Sequence, residues 1–248
     1  MESRQIAESE LHTALELDSN LAEAHALIGD MRLAEEDYSA AEKELERAME
    51  LGPSSAGVLE SYWRYLLLMG KYDDAIAVGQ RESDLDPLSP NKKGIVPYIQ
   101  LSAGRCDQAL EGFQKVLRED PTYISARNNL GGAYICKGAY KEAAEELEKS
   151  VPLQDDPKRG SFARLAFAYA KSGQREKAQK MLRELKKDRY RALGVIYAGL
   201  GENDRAFEYL EKAYKDRSGP PYLRSGALAV LQTDPRWADF ARRKGFAQ

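Results

Sequence analysis

Pro53, Pro87 and Pro121 stand 34 residues apart, and Ser19 lies 34 residues before Pro53. Each marks the end of an apolar-closing stretch, ALELDS, AMELGP, ESDLDP or VLREDP, where proline or a turn residue prevents a helix from continuing. A period held over four such ends restricts the chain to repeating helix-turn-helix units. One unit of that size cannot bury its apolar face alone, so stacked neighbours must supply the core. The expected fold class is therefore all-α, an α-solenoid.

The units follow in order. Met1 to Leu17 supplies only a second helix, with Ala7, Leu11 and Ala14 inward, and reads as a cap or as a cut from a longer protein. Ala22 to Pro53 is complete, with Ile28 and Gly29 on its first helix and Tyr38, Ala41, Leu45 and Ala48 on its second. In Ala56 to Pro87, Trp63 stands where a small residue is expected, which predicts that its two helices are pushed apart locally. In Pro90 to Pro121, Pro97 takes the same position in mid-helix and predicts a kinked or shortened first helix. Ser125 to Val151 is the most regular stretch: Leu130, Gly131 and Tyr134, a turn at Gly138 and Tyr140, then Ala143 and Leu147. Gly131 and Ala143 are small because the helices cross there at close range. Arg159 to Lys187 is displaced by one residue, and the next unit, through Tyr197, Gly201 and Ala206, is compressed. Beyond Arg217 come a Pro220-Pro221 break, a short helix about Leu223 to Leu231, and a last helix with Trp237, Phe240 and Ala241 inward and Arg242, Arg243 and Lys244 outward. This gives a solenoid over residues 1–217, with a partial first repeat at 1–19 and about six more, and a capping helix pair over 218–248.

The spacing of small and aromatic positions in Ser125 to Val151 resembles the tetratricopeptide repeat. That resemblance implies a right-handed α-solenoid, a protein-protein interaction scaffold rather than an enzyme, and a concave groove lined by the first helices. Carried over position by position, the groove that would bind a peptide or protein segment comprises Arg64, Leu68, Tyr98, Leu101, Asn128, Ile135, Phe167, Lys171 and Arg191, with Tyr98 and Phe167 as aromatic anchors. Some family members clamp a chaperone's terminal carboxylate with a lysine and asparagine set. Asn128 and Asn129 match part of it, but Tyr98 stands at an inner position that the set requires, so that activity is not expected. A narrower resemblance, in DPLSP, RALGVIYAGLGENDRAFEYLEKAYKDRS and DPRWADFARRKGF, is to the repeat regions of bacterial multidomain regulators linked to winged-helix, cyclase or serine/threonine-kinase modules. It implies the alternative of a regulatory or oligomerising region of a larger bacterial signalling or transcription-regulating protein.

Composition removes other classes. A net charge of -3 with 31% charged residues makes no large single-sign field for nucleic acid or an anionic membrane. The basic run Arg175 to Arg191 is interrupted by Glu176, Glu184 and Asp188 and reads as a solvated outer face. No apolar run approaches the ~18 residues that span a bilayer, and the N-terminus has no apolar core of a secretory signal. His12 and His25 are the only histidines; His25 takes a bulky core position. Cys106 and Cys136 are far apart in sequence and read as free structural thiols in a reducing cytoplasm. No catalytic group, metal set or cofactor motif is expected.

Overall fold

The protein is described by a computed structural model over residues 2–151, 160–216 and 226–243. The side chain of Ala7, the residue Arg159, the Pro220-Pro221 break, Leu223 and Lys244 lie outside the described residues. Within them the chain forms fifteen α-helices and a short 3₁₀ segment, with no strand. It divides into two compact units, residues 1–95 and 96–248.

The first unit contains α1 (Glu2–Leu17), α2 (Ala22–Ala34), α3 (Tyr38–Leu51), α4 (Ala56–Leu68), α5 (Tyr72–Leu85) and α6 (Pro90–Lys93). Helices α2 and α3 form one hairpin, and α4 and α5 the next, stacked on it. Gly29 seats the Leu45 side chain so closely that a Cβ there would lie 2.5 Å from Leu45 Cγ. In the second hairpin the sizes are exchanged. Trp63 is 7% exposed, and the residue 16 positions on, the offset from Gly29 to Leu45, is the buried Gly79. By register the tryptophan thus has a small residue at its partner position, and α4 and α5 pack against each other. Its indole Nε1 donates to Glu82 Oε2 at 2.6 Å. Glu82 is 1% exposed and its other oxygen pairs with Lys92 of α6, so the buried carboxylate is fully partnered.

The second unit begins within α7 (Ile95–Ser102) and continues through α8 (Cys106–Glu119), α9 (Ile124–Cys136), α10 (Tyr140–Ser150), α11 (Gly160–Lys171), α12 (Arg175–Glu184), α13 (Tyr190–Leu200) and α14 (Asn203–Lys215). The proline expectation is met. Pro97 has no N–H and its ring opposes the carbonyl four residues back, and the helix is divided at Gly94 between α6 and α7. Here too the small residue has moved to the second helix: a Cβ at Gly112 would lie 2.4 Å from Pro97 Cγ. The regular arrangement returns with Gly131 under Leu147 and Gly194 under Leu210.

The turns inside the hairpins follow one rule. Gly70, Gly104, Gly138, Gly173 and Gly201 all have φ between +74° and +87°, the left-handed region that only glycine enters freely. Glu36, 34 residues before Gly70, takes the same conformation at φ +65° without being glycine.

The expectation of two free thiols is corrected. Cys106 opens α8, Cys136 closes α9, and they form a disulfide with Cα atoms 5.6 Å apart. Linear separation hid the pairing: α8 stacks on α9, so the start of one second helix meets the end of the next first helix. A reducing compartment, argued from unpaired thiols, loses that premise. His25 also differs from a simple core residue, since its Nδ1 meets Glu44 Oε2 at 2.7 Å.

At the C-terminal side, Phe240 of α15 (Arg236–Arg243) packs edge-on against Phe207 of α14 at 5.7 Å, with Trp237 beside it. The 3₁₀ segment Gly226–Leu231 buries Ala227, Leu228 and Leu231, and packs against α9 and α13.

Candidate functional site

Because the hairpins stack, the first helices α7, α9, α11 and α13 of the second unit present equivalent positions side by side. The nine residues expected to line a groove are distributed unevenly. Arg64 and Leu68 stand on α4 in the first unit, where Arg64 is half exposed and 3.7 Å from Glu60. The other seven belong to the second unit. Of these, Leu101, Ile135 and Phe167 are buried at 5%, 4% and 0% exposure and belong to the core. Phe167 sits edge-on to Tyr140 at 6.0 Å and lies over Gly199 of α13, where a Cβ would be 2.9 Å from its ring. A glycine on the neighbouring helix thus draws this aromatic inward, and it is no surface anchor. Tyr98, Asn128, Lys171 and Arg191 remain partly exposed. Lys171 extends over the Phe167 ring, its Nζ 6.0 Å from the centroid.

A further residue joins this set. Arg164 of α11 donates from Nη1 to the Asn128 carbonyl oxygen and to Asn129 Oδ1, both at 3.4 Å. Gly132 on α9 leaves room for it: a Cβ there would lie 3.7 Å from Arg164 Cζ and 3.2 Å from Leu101 Cδ2. Burial pushes the Arg164 guanidinium below its usual pKa range, with Tyr98 acting in the opposite direction. Arg191 is pushed down by burial first and by the like charge of Arg164 second, again opposed by Tyr98. Among the described residues neither arginine has a carboxylate partner. Sequence reasoning missed Arg164, although it falls 35 residues after Asn129, at the equivalent place on the next first helix. The segment Gly226–Leu231 of the chain itself lies against two of these first helices, α9 and α13.

Among the described residues there is no group of three or more histidine, cysteine, aspartate or glutamate side chains able to hold a metal ion. Among them, too, no helix is long and apolar enough to cross a membrane.

Stacked hairpins with small residues seated under leucines and a left-handed turn in each define an all-α solenoid of helix-turn-helix repeats. Models of the tetratricopeptide repeat match residues 26–90, 100–161 and 190–215, together more than half of the chain, which belongs to that family. Two solved structures share the fold. A thermophilic tetratricopeptide repeat protein of Thermus thermophilus superposes with a TM-score of 0.57 at 19% identity, over 77% of this chain and 97% of that one. A tetratricopeptide repeat protein of Parabacteroides merdae gives 0.54 at 18% identity, over 90% and 89%. Among curated relatives, small glutamine-rich tetratricopeptide repeat-containing protein 2 of Mycosarcoma maydis is 29% identical over 107 residues, 42% of this chain. The peroxisomal targeting signal receptor of Candida albicans is 38% identical over 52 residues, 21% of this chain. The chain spans only 30% and 9% of these two relatives' lengths. Proteins of this family generally mediate protein-protein interaction.

Proposed function

We propose that the chain is an interaction scaffold that takes a peptide or protein segment on the first-helix face of its second unit. The observation that carries this reading is the seating of Gly226–Leu231 against α9 and α13. Two of these first helices already accept a short apolar segment, and Tyr98, Asn128, Lys171 and Arg191, on the same set of first helices, stay partly exposed. A partner segment would bury apolar side chains there and use the polar groups for orientation.

A peptide-display selection against the whole chain tests this. Selected peptides should lose about tenfold or more in affinity on Tyr98→Ala or Lys171→Glu, while Lys180→Glu on the outer helix α12 leaves them unchanged. Affinities indifferent to Tyr98 and Lys171 would overturn the assignment to this face. The alternative, a regulatory or oligomerising region of a larger bacterial regulator, has no feature among the described residues that favours it.

A further inference from the structure

The disulfide of the second unit lies at a helix junction that water reaches. Cys106 is the first residue of α8 and Cys136 the last of α9, and both stay partly exposed. Gly104 and Gly138, each two residues from one of the cysteines, stand in turns where an added Cβ would meet nothing within 4 Å. The turns flanking the bond are therefore open, and an incoming thiolate has room to approach. Other contacts hold the same junction. Lys137, next to Cys136, pairs with Asp107, next to Cys106. Gln114 of α8 donates to the Tyr134 hydroxyl of α9 at 3.4 Å. Beneath them Phe113 and Val116 of α8 share one apolar cluster with Ala126, Leu130 and Ala133 of α9. These contacts remain when the S–S bond is cut, so the two sulfurs stay within reach and closure is an intramolecular step. The two ends also differ chemically. Amide groups in the first turn of a helix lack an intrahelical partner and stabilise negative charge, whereas the carbonyls of its last turn disfavour it. A thiolate is thus favoured at Cys106 over Cys136, and the charge of the adjacent Asp107 is balanced by Lys137.

We infer that Cys106 and Cys136 form a site of reversible thiol–disulfide exchange, opened by a small external thiol and closed by attack of Cys106. The thiolate of the external thiol attacks Cys136 Sγ. A mixed disulfide forms there, the bond between the two protein sulfurs breaks, and its electron pair leaves on Cys106, the end where a thiolate is favoured. A second external thiolate then attacks the sulfur of the first, which releases the external disulfide and the Cys136 thiolate. The two protein thiolates take up the protons that the external thiols lost, so two external thiols are oxidised and one protein disulfide is reduced. Closing runs the same steps backwards. The external disulfide forms the mixed disulfide at Cys136, and the Cys106 thiolate attacks that sulfur and expels the external thiolate. No oxidant beyond the external disulfide is required.

The test uses the full oxidised chain in native buffer, with reduced glutathione as the thiol. Samples are alkylated in a brief pulse of N-ethylmaleimide and mapped by peptide mass, and helix content is followed by circular dichroism. The bond should open at a rate within about tenfold of the rate in urea, where access is complete. The first product should carry the maleimide on Cys106 and glutathione on Cys136. Transfer of the opened chain to oxidised glutathione should restore the bond at a rate independent of protein concentration, with the helical signal unchanged throughout. Opening that occurs only in urea would make the bond a structural brace and overturn the inference. Glutathione on Cys106 in the first product, loss of the helical signal on opening, or closure into bonds between chains would each overturn it as well. The exchange is read on the free chain, so its outcome is independent of the peptide-binding reading above.

Discussion

In the first unit many polar and charged side chains are paired with one another. Ser55 Oγ donates to Glu23 and Ser61 Oγ to Asp30, each at 2.8 Å, Arg64 lies near Glu60, and the buried Glu82 is held between Trp63 and Lys92. In the second unit the corresponding helices carry Arg164 and Arg191 without an acidic neighbour among the described residues, and the unit is closed by a disulfide instead. The contrast shows one repeat architecture meeting two demands. Pairs that satisfy each other make a self-sufficient stack, whereas a charge held away from water without a counter-charge costs stability.

The largest effect should separate the units by their covalent link. The cysteines are 30 residues apart in sequence, and reduction is expected to remove about 3.5 kcal/mol by the loop-entropy relation. Hydrogen exchange should show that loss on α8 and α9, with α2 to α5 unchanged; an equal loss in both units would refute the local account. Next comes packing. Gly131→Leu in the second unit and Gly79→Leu in the first should each cost about 3 kcal/mol through overpacking, visible as lower denaturation midpoints. Adding Trp63→Ala should recover part of the Gly79→Leu loss but none of the Gly131→Leu loss. Without that selective rescue the exchange of sizes between α4 and α5 is wrong.

Electrostatics gives a smaller effect in the first unit. Lys92→Met strands Glu82, which is 1% exposed, while Lys92 itself retains some solvent contact. The expected cost is about 2 kcal/mol at neutral pH, below the usual figure for a fully buried pair because of that contact. Adding Glu82→Gln should return most of it, because the carbonyl oxygen still accepts from the indole. The smallest effect is a gain. Among the described residues Glu36 alone holds a left-handed turn without being glycine, and Glu36→Gly should stabilise the α2–α3 hairpin by about 0.5 kcal/mol, the relief of strain less the added chain entropy. A loss on that substitution would show that a Glu36 contact outweighs the backbone strain.

Much of this molecule is legible in its residues. The 34-residue spacing, the glycines at the turns and the seats for Leu45, Leu147 and Leu210 follow from local rules of helix termination and close approach, which act over a few turns of one chain segment. Pro97 predicted its own helix break for the same reason. Trp63 by itself does not tell how its helix pair packs, since the buried Gly79 that register sets opposite it and the Glu82 that accepts from its indole lie on the partner helix.

For the candidate site, the residues give helix positions but not exposure. Register placed Tyr98, Asn128, Lys171 and Arg191 on one face, but it could not tell that Gly199 on the next helix draws Phe167 into the core, or that Gly132 makes room for Arg164. Nor could spacing alone bring Cys106 to Cys136. The sequence by itself determined which segments become helices, how they pair into hairpins and where each turns, because those choices depend on neighbours within one repeat. Only the tertiary structure decided which side chains are covered, which cysteines meet and which charges lack a partner. Each of those depends on contacts between successive hairpins, set by small residues far away in the chain.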